Sequence, residues 1–345
     1  MRGRRALLLI EVVDRYIRTR HPVSSQELVR EYRHRFSSAT VRNELLALER
    51  ERYLYKPHPS SGRIPTRSGF RFFAEWLLAL ADLGERPTCL PAEPHEPASP
   101  ELPGLLRRTA LLLAAMTGQL GFAVAPPRER LRLLDFAMRR VGPSMVLTVT
   151  LSELGMVESR VLALDVDLGP EELAEAEALL VHQLKGRTLA DLAGRSWPAE
   201  GWHSRAHLCA LGILRQLAEQ EPERYLYVEG WPQFLAELSV GAPDWALGQV
   251  RALLRFLDDE RAFAAALSEL RRGREGLAVH VGDASIPELS EFSVVSAPYL
   301  AGGGVLGVIG PLWMDYARAF SATRYVAGRL GGLLARERPE TGVKP

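Results

Sequence analysis

The chain has 345 residues, enough for two or three domains, and 47% of them are apolar, which excludes a largely disordered polypeptide. Its net charge of +1 hides a polarity: residues 1–72 carry 16 Lys+Arg against 7 Asp+Glu, so the rest of the chain is acidic. A basic front on an acidic body is an asymmetry that nucleic-acid binders show, and on charge alone it reads equally as a solvated basic surface with no partner; the two cysteines, Cys89 and Cys209, stand in unrelated contexts that indicate neither a zinc site nor a disulfide framework and fit a reducing cytoplasm.

From the start, Leu7, Leu8, Ile10, Val12, Val13, Tyr16 and Ile17 recur at helical spacing over 4–18, until Pro22 stops the helix. The apolar run Ala6–Ile10 is too short for a secretory signal, since Glu11 and Asp14 break it. Ser24 and Glu27 have the spacing of a capping box and open a second short helix that buries Leu28, Val29 and Tyr32. Ser37 or Ser38 caps a third helix running to about Arg52, with Val41, Leu45, Leu46 and Leu48 as its inward stripe. Three short helices with tight capped turns make a helix-turn-helix bundle. Tyr53 to Lys56 is then β-competent, Pro57, Pro59 and Gly62 punctuate it, and Ile64-Pro65 returns. The tip is Ser60-Ser61-Gly62, where Gly62 is expected to supply a positive φ. A helix able to enter a major groove, beside a basic ribbon, is the winged-helix layout. Thr66 caps a further helix with Phe70, Phe73, Trp76, Leu77 and Leu80 on one face.

Six prolines between Glu85 and Pro103 make a semi-rigid linker, so the first domain is expected at 1–84 and the linker at 85–103. Beyond it the patterns predict a helix at 105–120, strands at 131–140, 146–151 and 157–164, and helices at 171–184 and 206–219. A strand at 225–229, one or two helices in 244–271, strands at 277–281, 292–298 and 304–309, and a closing helix at 314–335 complete the chain. Strands at both ends with mostly helices between predict an α+β domain, 104–165 with 273–345, carrying an insertion at 166–272. The uncharged stretches Thr109–Pro127 and Phe292–Met314 are broken by glycine and proline and read as core segments, with no membrane span.

The residues able to carry function lie in the basic front. Ser37, Ser38, Thr40, Arg42 and Asn43 occupy the opening turns of the third helix. Arg42 can pair bidentately with guanine and Asn43 with adenine, and Ser37 and Ser38 can cap the helix and reach phosphate. Ser37 reads equally well as a cap alone. On the hairpin, Lys56, His58, Ser60, Ser61 and Arg63 can meet the sugar-phosphate backbone, and Arg63 can enter a narrow minor groove. His58, a lone histidine on a loop, reads first as a solvated residue. No enzyme site competes. Gly302 to Gly307 matches G-x-G-x-x-G, but a β-like run and Pro311 follow instead of a helix, so it reads as a hairpin turn. Asp165, Asp167 and Gly169 lack the terminal Glu of a calcium loop, and His203 with His207 lack a third ligand. Neither metal nor cofactor is expected.

Four blocks resemble the heat-inducible transcription repressor family (HrcA-type) of bacteria: Pro22 to Ser25, Ser37 to Glu44, Pro57 to Thr66 and Gly307 to Tyr316. They stand in the family's order and at similar separations, so the resemblance spans nearly the whole chain. It departs at Pro59-Ser60-Ser61, where the family usually has Thr-Ser-Ala, and at Leu312-Trp313, where the family usually has Thr-Arg. The resemblance implies a repressor of chaperone operons that binds an inverted-repeat operator in double-stranded DNA as a homodimer. It implies a GAF-like body with an inserted dimerisation domain, and the chaperonin GroEL as the partner that keeps the repressor competent. Two rivals stay open: a winged-helix regulator whose GAF-like body senses a small molecule, and an enzyme with the basic module as scaffold.

Overall fold

The computed structural model describes residues 3–31, 37–58, 60–81, 102–127, 130–165, 167–193, 204–219, 226–239, 246–272, 274–300 and 303–336. The basic front forms α1 (Arg4–Thr19), α2 (Ser25–Glu31), α3 (Ser38–Arg50), the short antiparallel strands β1 (Leu54–Tyr55) and β2 (Ile64–Pro65), and α4 (Arg67–Ala81). α1 ends at Arg20, which adopts φ 58° and returns its N–H to the Tyr16 carbonyl at 2.8 Å, a left-handed cap that turns the chain. The expected capping box opens α2: the Ser24 N–H donates to the Glu27 carboxylate at 2.8 Å, and the Glu27 N–H donates to Ser24 Oγ at 3.3 Å. Leu8, Leu9, Val12, Val13, Leu28, Val41, Leu45 and Leu48 interlock as the core of the three helices. Leu46 does not join them; it is 44% exposed, contrary to the inward stripe expected of it. At 100° per residue, Leu46 lies about 130° around the helix from the mean direction of Val41, Leu45 and Leu48, so it points away from the core they enter.

The body follows. Of the expected linker, residues 85–101 lie outside the described residues, and Leu102 and Pro103 already belong to α5 (Leu102–Thr117). Next come β3 (Leu120–Val124), β4 (Leu133–Gly142), β5 (Met145–Ser152), β6 (Val157–Ala163), α6 (Pro170–Leu184), α7 (Leu189–Ala193) and α8 (Arg205–Glu219). Then β7 (Leu226–Glu229), α9 (Trp231–Ser239), α10 (Ala246–Asp258), α11 (Glu260–Leu270), β8 (Ala278–Val281), β9 (Phe292–Pro298), β10 (Val305–Pro311) and α12 (Tyr316–Arg336) complete it. Five strands pair antiparallel in the order β7-β3-β10-β9-β8. One face of this sheet buries Ala123, Val295, Leu306 and Val308 against α5, α12 and the front module. The other buries Phe122, Val294 and Ile309 against α9, α10 and α11. β3, absent from the sequence reading, is buried at every residue, so no polar alternation announces it. Gly121 is required there: a Cβ would stand 2.0 Å from the Ala110 carbonyl oxygen of α5.

The expected boundary at 165/166 passes through a shared core. β4, β5 and β6 form a separate three-stranded sheet, and Phe136, Met138, Val146 and Leu162 pack against Leu180 of α6 and Ile213 of α8. β7, expected inside the insertion, instead extends the five-stranded sheet, with Phe122 opposite Val228. The Gly-rich segment is the β9–β10 turn, as expected: the Tyr299 N–H donates to the Gly304 carbonyl at 3.0 Å and Gly303 adopts φ 112°. Among the described residues no helix is long and apolar enough to cross a membrane.

The front module is fastened to the body. Phe73 of α4 meets Tyr316 of α12 with ring centroids 6.2 Å apart. Arg20 donates to the Trp313 carbonyl at 2.6 Å and to Glu237 at 2.5 Å. Arg67 pairs with Glu291 at 2.9 Å, and Arg71 donates to the Val281 carbonyl at 3.0 Å.

Candidate nucleic-acid interface

The outward face of α3 is built from its cap upward. Ser37 lies in extended conformation, and its Oγ accepts from the Thr40 N–H at 3.2 Å while sharing a 2.9 Å hydrogen bond with the Thr40 hydroxyl. This cap contributes about 1 kcal/mol to the helix. Ser37 and half-buried Thr40 are therefore engaged with each other, and the capping role is the one observed for Ser37. Ser38, Arg42 and Asn43 stand exposed on the adjoining turns.

The hairpin tip is also self-organised. The His58 carbonyl accepts from the Ser61 N–H at 3.0 Å and from the Ser61 hydroxyl at 2.8 Å, and Ser61 Oγ in turn accepts from the His58 N–H at 3.0 Å. The first of these closes a four-residue β-turn. Ser61 thus holds the turn, while Lys56, His58 and Ser60 face outward. Gly62 corrects its expectation: its φ is not positive. Glycine is needed for closeness, because a Cβ would lie 2.6 Å from the carbonyl carbon and oxygen of Pro22 and the carbonyl carbon of Val23. The hairpin base is seated on that segment, where Val23 and Arg63 exchange backbone hydrogen bonds of 2.9 and 2.8 Å.

Arg63 does not stand with the outward group. Its side chain is 11% exposed, and Nε pairs with Glu49 of α3 at 3.3 Å. Reaching a minor groove requires leaving that pocket, so the arginine braces the wing against the helix. The same logic governs the other carboxylates. Between residues 37 and 58 the acidic residues are Glu44, Glu49 and Glu51. Arg5 of α1 pairs with Glu44 at 2.9 Å and also with Glu51. The three carboxylates are thus paired by two arginines, Arg5 serving two of them, and the exposed cations Arg42, Arg50 and Lys56 dominate the outward field. The sequence reading gives Arg63 to DNA, whereas the fold pairs it with Glu49 of α3.

Three outward residues escaped the sequence reading, Ala39, Leu46 and Arg50, all exposed on α3. A helical wheel centred on Arg42 and Asn43 places all three on that face. Elsewhere, Asp167 pairs with Arg140, and His207 Nδ1 shares a 2.6 Å hydrogen bond with Ser204, while His203 lies outside the described residues. Among the described residues no group of three His, Cys, Asp or Glu side chains could hold a metal ion.

Residues 104–320 match the family model described as the HrcA protein C terminal domain. A heat-inducible transcription repressor HrcA of Syntrophobacter fumaroxidans is 31% identical over 343 residues, covering 95% of each chain. That of Chloroflexus aurantiacus is 31% identical, covering 96% of this chain and 93% of its own. That of Mycobacteroides abscessus is 32% identical, covering 96% and 98%. A crystal structure of a hypothetical protein superposes with a TM-score of 0.64 at 25% identity, covering 98% of this chain and 99% of that one. With a winged-helix front, an α/β body and this similarity along nearly its full length, the chain belongs to the HrcA family of heat-inducible transcription repressors.

Proposed function

We propose that the chain represses chaperone operons by binding an inverted-repeat operator in duplex DNA as a homodimer, in the cytoplasm, with chaperonin GroEL holding it in the binding form. The family is one of transcription repressors rather than enzymes. The observation that carries the DNA reading is the outward face of α3: Ser38, Arg42 and Asn43 exposed, and all three nearby carboxylates paired away. In this reading Arg42 and Asn43 read base edges, Ser38, Lys56, His58 and Ser60 meet the backbone, and Ser37, Thr40, Ser61 and Arg63 hold these elements in place.

The dimer reading is supported by the three-stranded sheet. Its face away from α6 and α8 places Leu147 opposite Val161 and Leu151 opposite Val157, with Val157 and Val161 more than half exposed. A contiguous apolar face of this kind fits a self-complementary contact about a two-fold axis. We take the inserted module as about 133–217, the span that carries the second core, and assign the dimer contact to it. Two heads related by that axis would meet half-sites one or more whole helical turns apart. The chaperonin role rests on the resemblance of the wing and C-terminal blocks.

Footprinting of the purified protein on the chaperonin promoters of its host, with and without chaperonin, tests the proposal. Paired protections on one face of the duplex, strengthened by chaperonin, are expected. Arg42→Ala should cost about 1–3 kcal/mol of operator affinity and relax the preference at one base pair. Failure to protect any palindromic duplex, even with chaperonin present, overturns it.

A further inference from the structure

Leu46 sits near the centre of the exposed face of α3. On α3 the exposed residues are Ser38, Ala39, Arg42, Asn43, Leu46 and Arg50, which at 100° per residue span an arc of about 140° with Leu46 near its midpoint. The helix's other branched apolar side chains, Val41, Leu45 and Leu48, are all fully buried. A single exposed leucine on a protein surface is ordinary. A leucine flanked by Arg42 and Asn43, on a helix whose glutamates are paired with arginines of α1 and the wing, is in a position to touch bases. Leu46 follows Arg42 by four residues and Asn43 by three, so the three side chains are neighbours on one face. The apolar feature of a major groove is the C5-methyl of thymine, which cytosine and uracil lack.

We propose that Leu46 is a specificity-determining residue that packs against a thymine methyl in each operator half-site, beside the base pairs met by Arg42 and Asn43. This role rests on the DNA reading given under the proposed function and adds one more residue that reads a base.

The test replaces each thymine of the footprinted operator, one at a time, with deoxyuridine, which removes only the methyl and keeps the hydrogen-bonding edge. For the wild-type chain, one thymine per half-site should lose about three- to fivefold in affinity on replacement, the worth of one buried methyl. Leu46→Ala should bind the thymine operator that much more weakly and show no further loss when that thymine becomes deoxyuridine. Leu46→Gln, similar in reach but polar, should behave as Leu46→Ala does, which separates methyl contact from mere bulk. Arg42→Ala should keep the full deoxyuridine effect. Leu46→Ala binding as tightly as wild type, or losing affinity while remaining sensitive to deoxyuridine at every thymine, overturns the role of Leu46 and leaves the DNA reading standing. Wild-type chain that binds no palindromic duplex, even with chaperonin present, overturns both.

Discussion

Gly62→Ala probes whether the wing is seated by close backbone approach. The new methyl would lie 2.6 Å from three backbone atoms of Pro22 and Val23, none of which can swing aside as a side-chain end could. The hairpin base must lift, and the 2.9 and 2.8 Å hydrogen bonds between Val23 and Arg63 break first. At about 0.5–1.5 kcal/mol each, breaking them removes about 1–3 kcal/mol of local stability. Native-state amide exchange reads that quantity directly: protection at Val23 and Arg63 should fall by about 5- to 150-fold while the five-stranded sheet is unchanged. Operator affinity should fall with it, because Lys56, His58 and Ser60 ride on the displaced hairpin. Gly328→Ala is the control. Gly328 lies inside α12, where a Cβ would meet nothing within 4 Å, so alanine there should stabilise the chain by about 0.5–1 kcal/mol. Unchanged protection at Val23 and Arg63 in Gly62→Ala, with unchanged DNA binding, would refute the seating argument.

Arg63→Ala should destabilise the wing and couple to Glu49→Gln in a double-mutant cycle by about 0.2–1 kcal/mol, leaving the salt dependence of DNA binding near the wild-type slope; a slope flattened by a whole ion without loss of stability would restore Arg63 to the DNA. Val161→Lys places a charge opposite Leu147 on the exposed sheet face and should yield monomers in sedimentation equilibrium; an undiminished dimer moves the interface elsewhere. His280 of β8 is pushed down to about 4, chiefly by burial and next by the neighbouring Arg274, against about 6.5 when unfolded. Because the unfolded chain takes up a proton that the native chain refuses, the contribution of His280 to stability should be flat above about pH 7.5 and fall by about 1–3 kcal/mol as the pH drops through 6.5 toward 4. Denaturant unfolding of His280→Gln across that range should lose this dependence.

Local signals carried the front module. Capping at Ser24 and Ser37, proline and glycine around the wing, and the Arg42-Asn43 pair act within a few residues, so they read the same in the chain as in the fold. The same holds for the β9–β10 turn, where proline and glycine forbid the helix that a nucleotide fingerprint needs. β3 was illegible because a strand covered on both faces has no polar rhythm, and its neighbours β7 and β10 come from far along the chain.

What the sequence by itself determined is which groups could grip DNA: a capped helix with Arg42 and Asn43 at its opening, beside a basic hairpin. Only the tertiary structure decided which cations are turned to that task, by pairing Arg63 with Glu49 and Arg5 with Glu44 and Glu51, and by turning Leu46 outward. The reason is one of range. Caps and turns are set by bonds to near neighbours in the chain, whereas an ion pair or a core face depends on partners that only folding brings within a few ångströms.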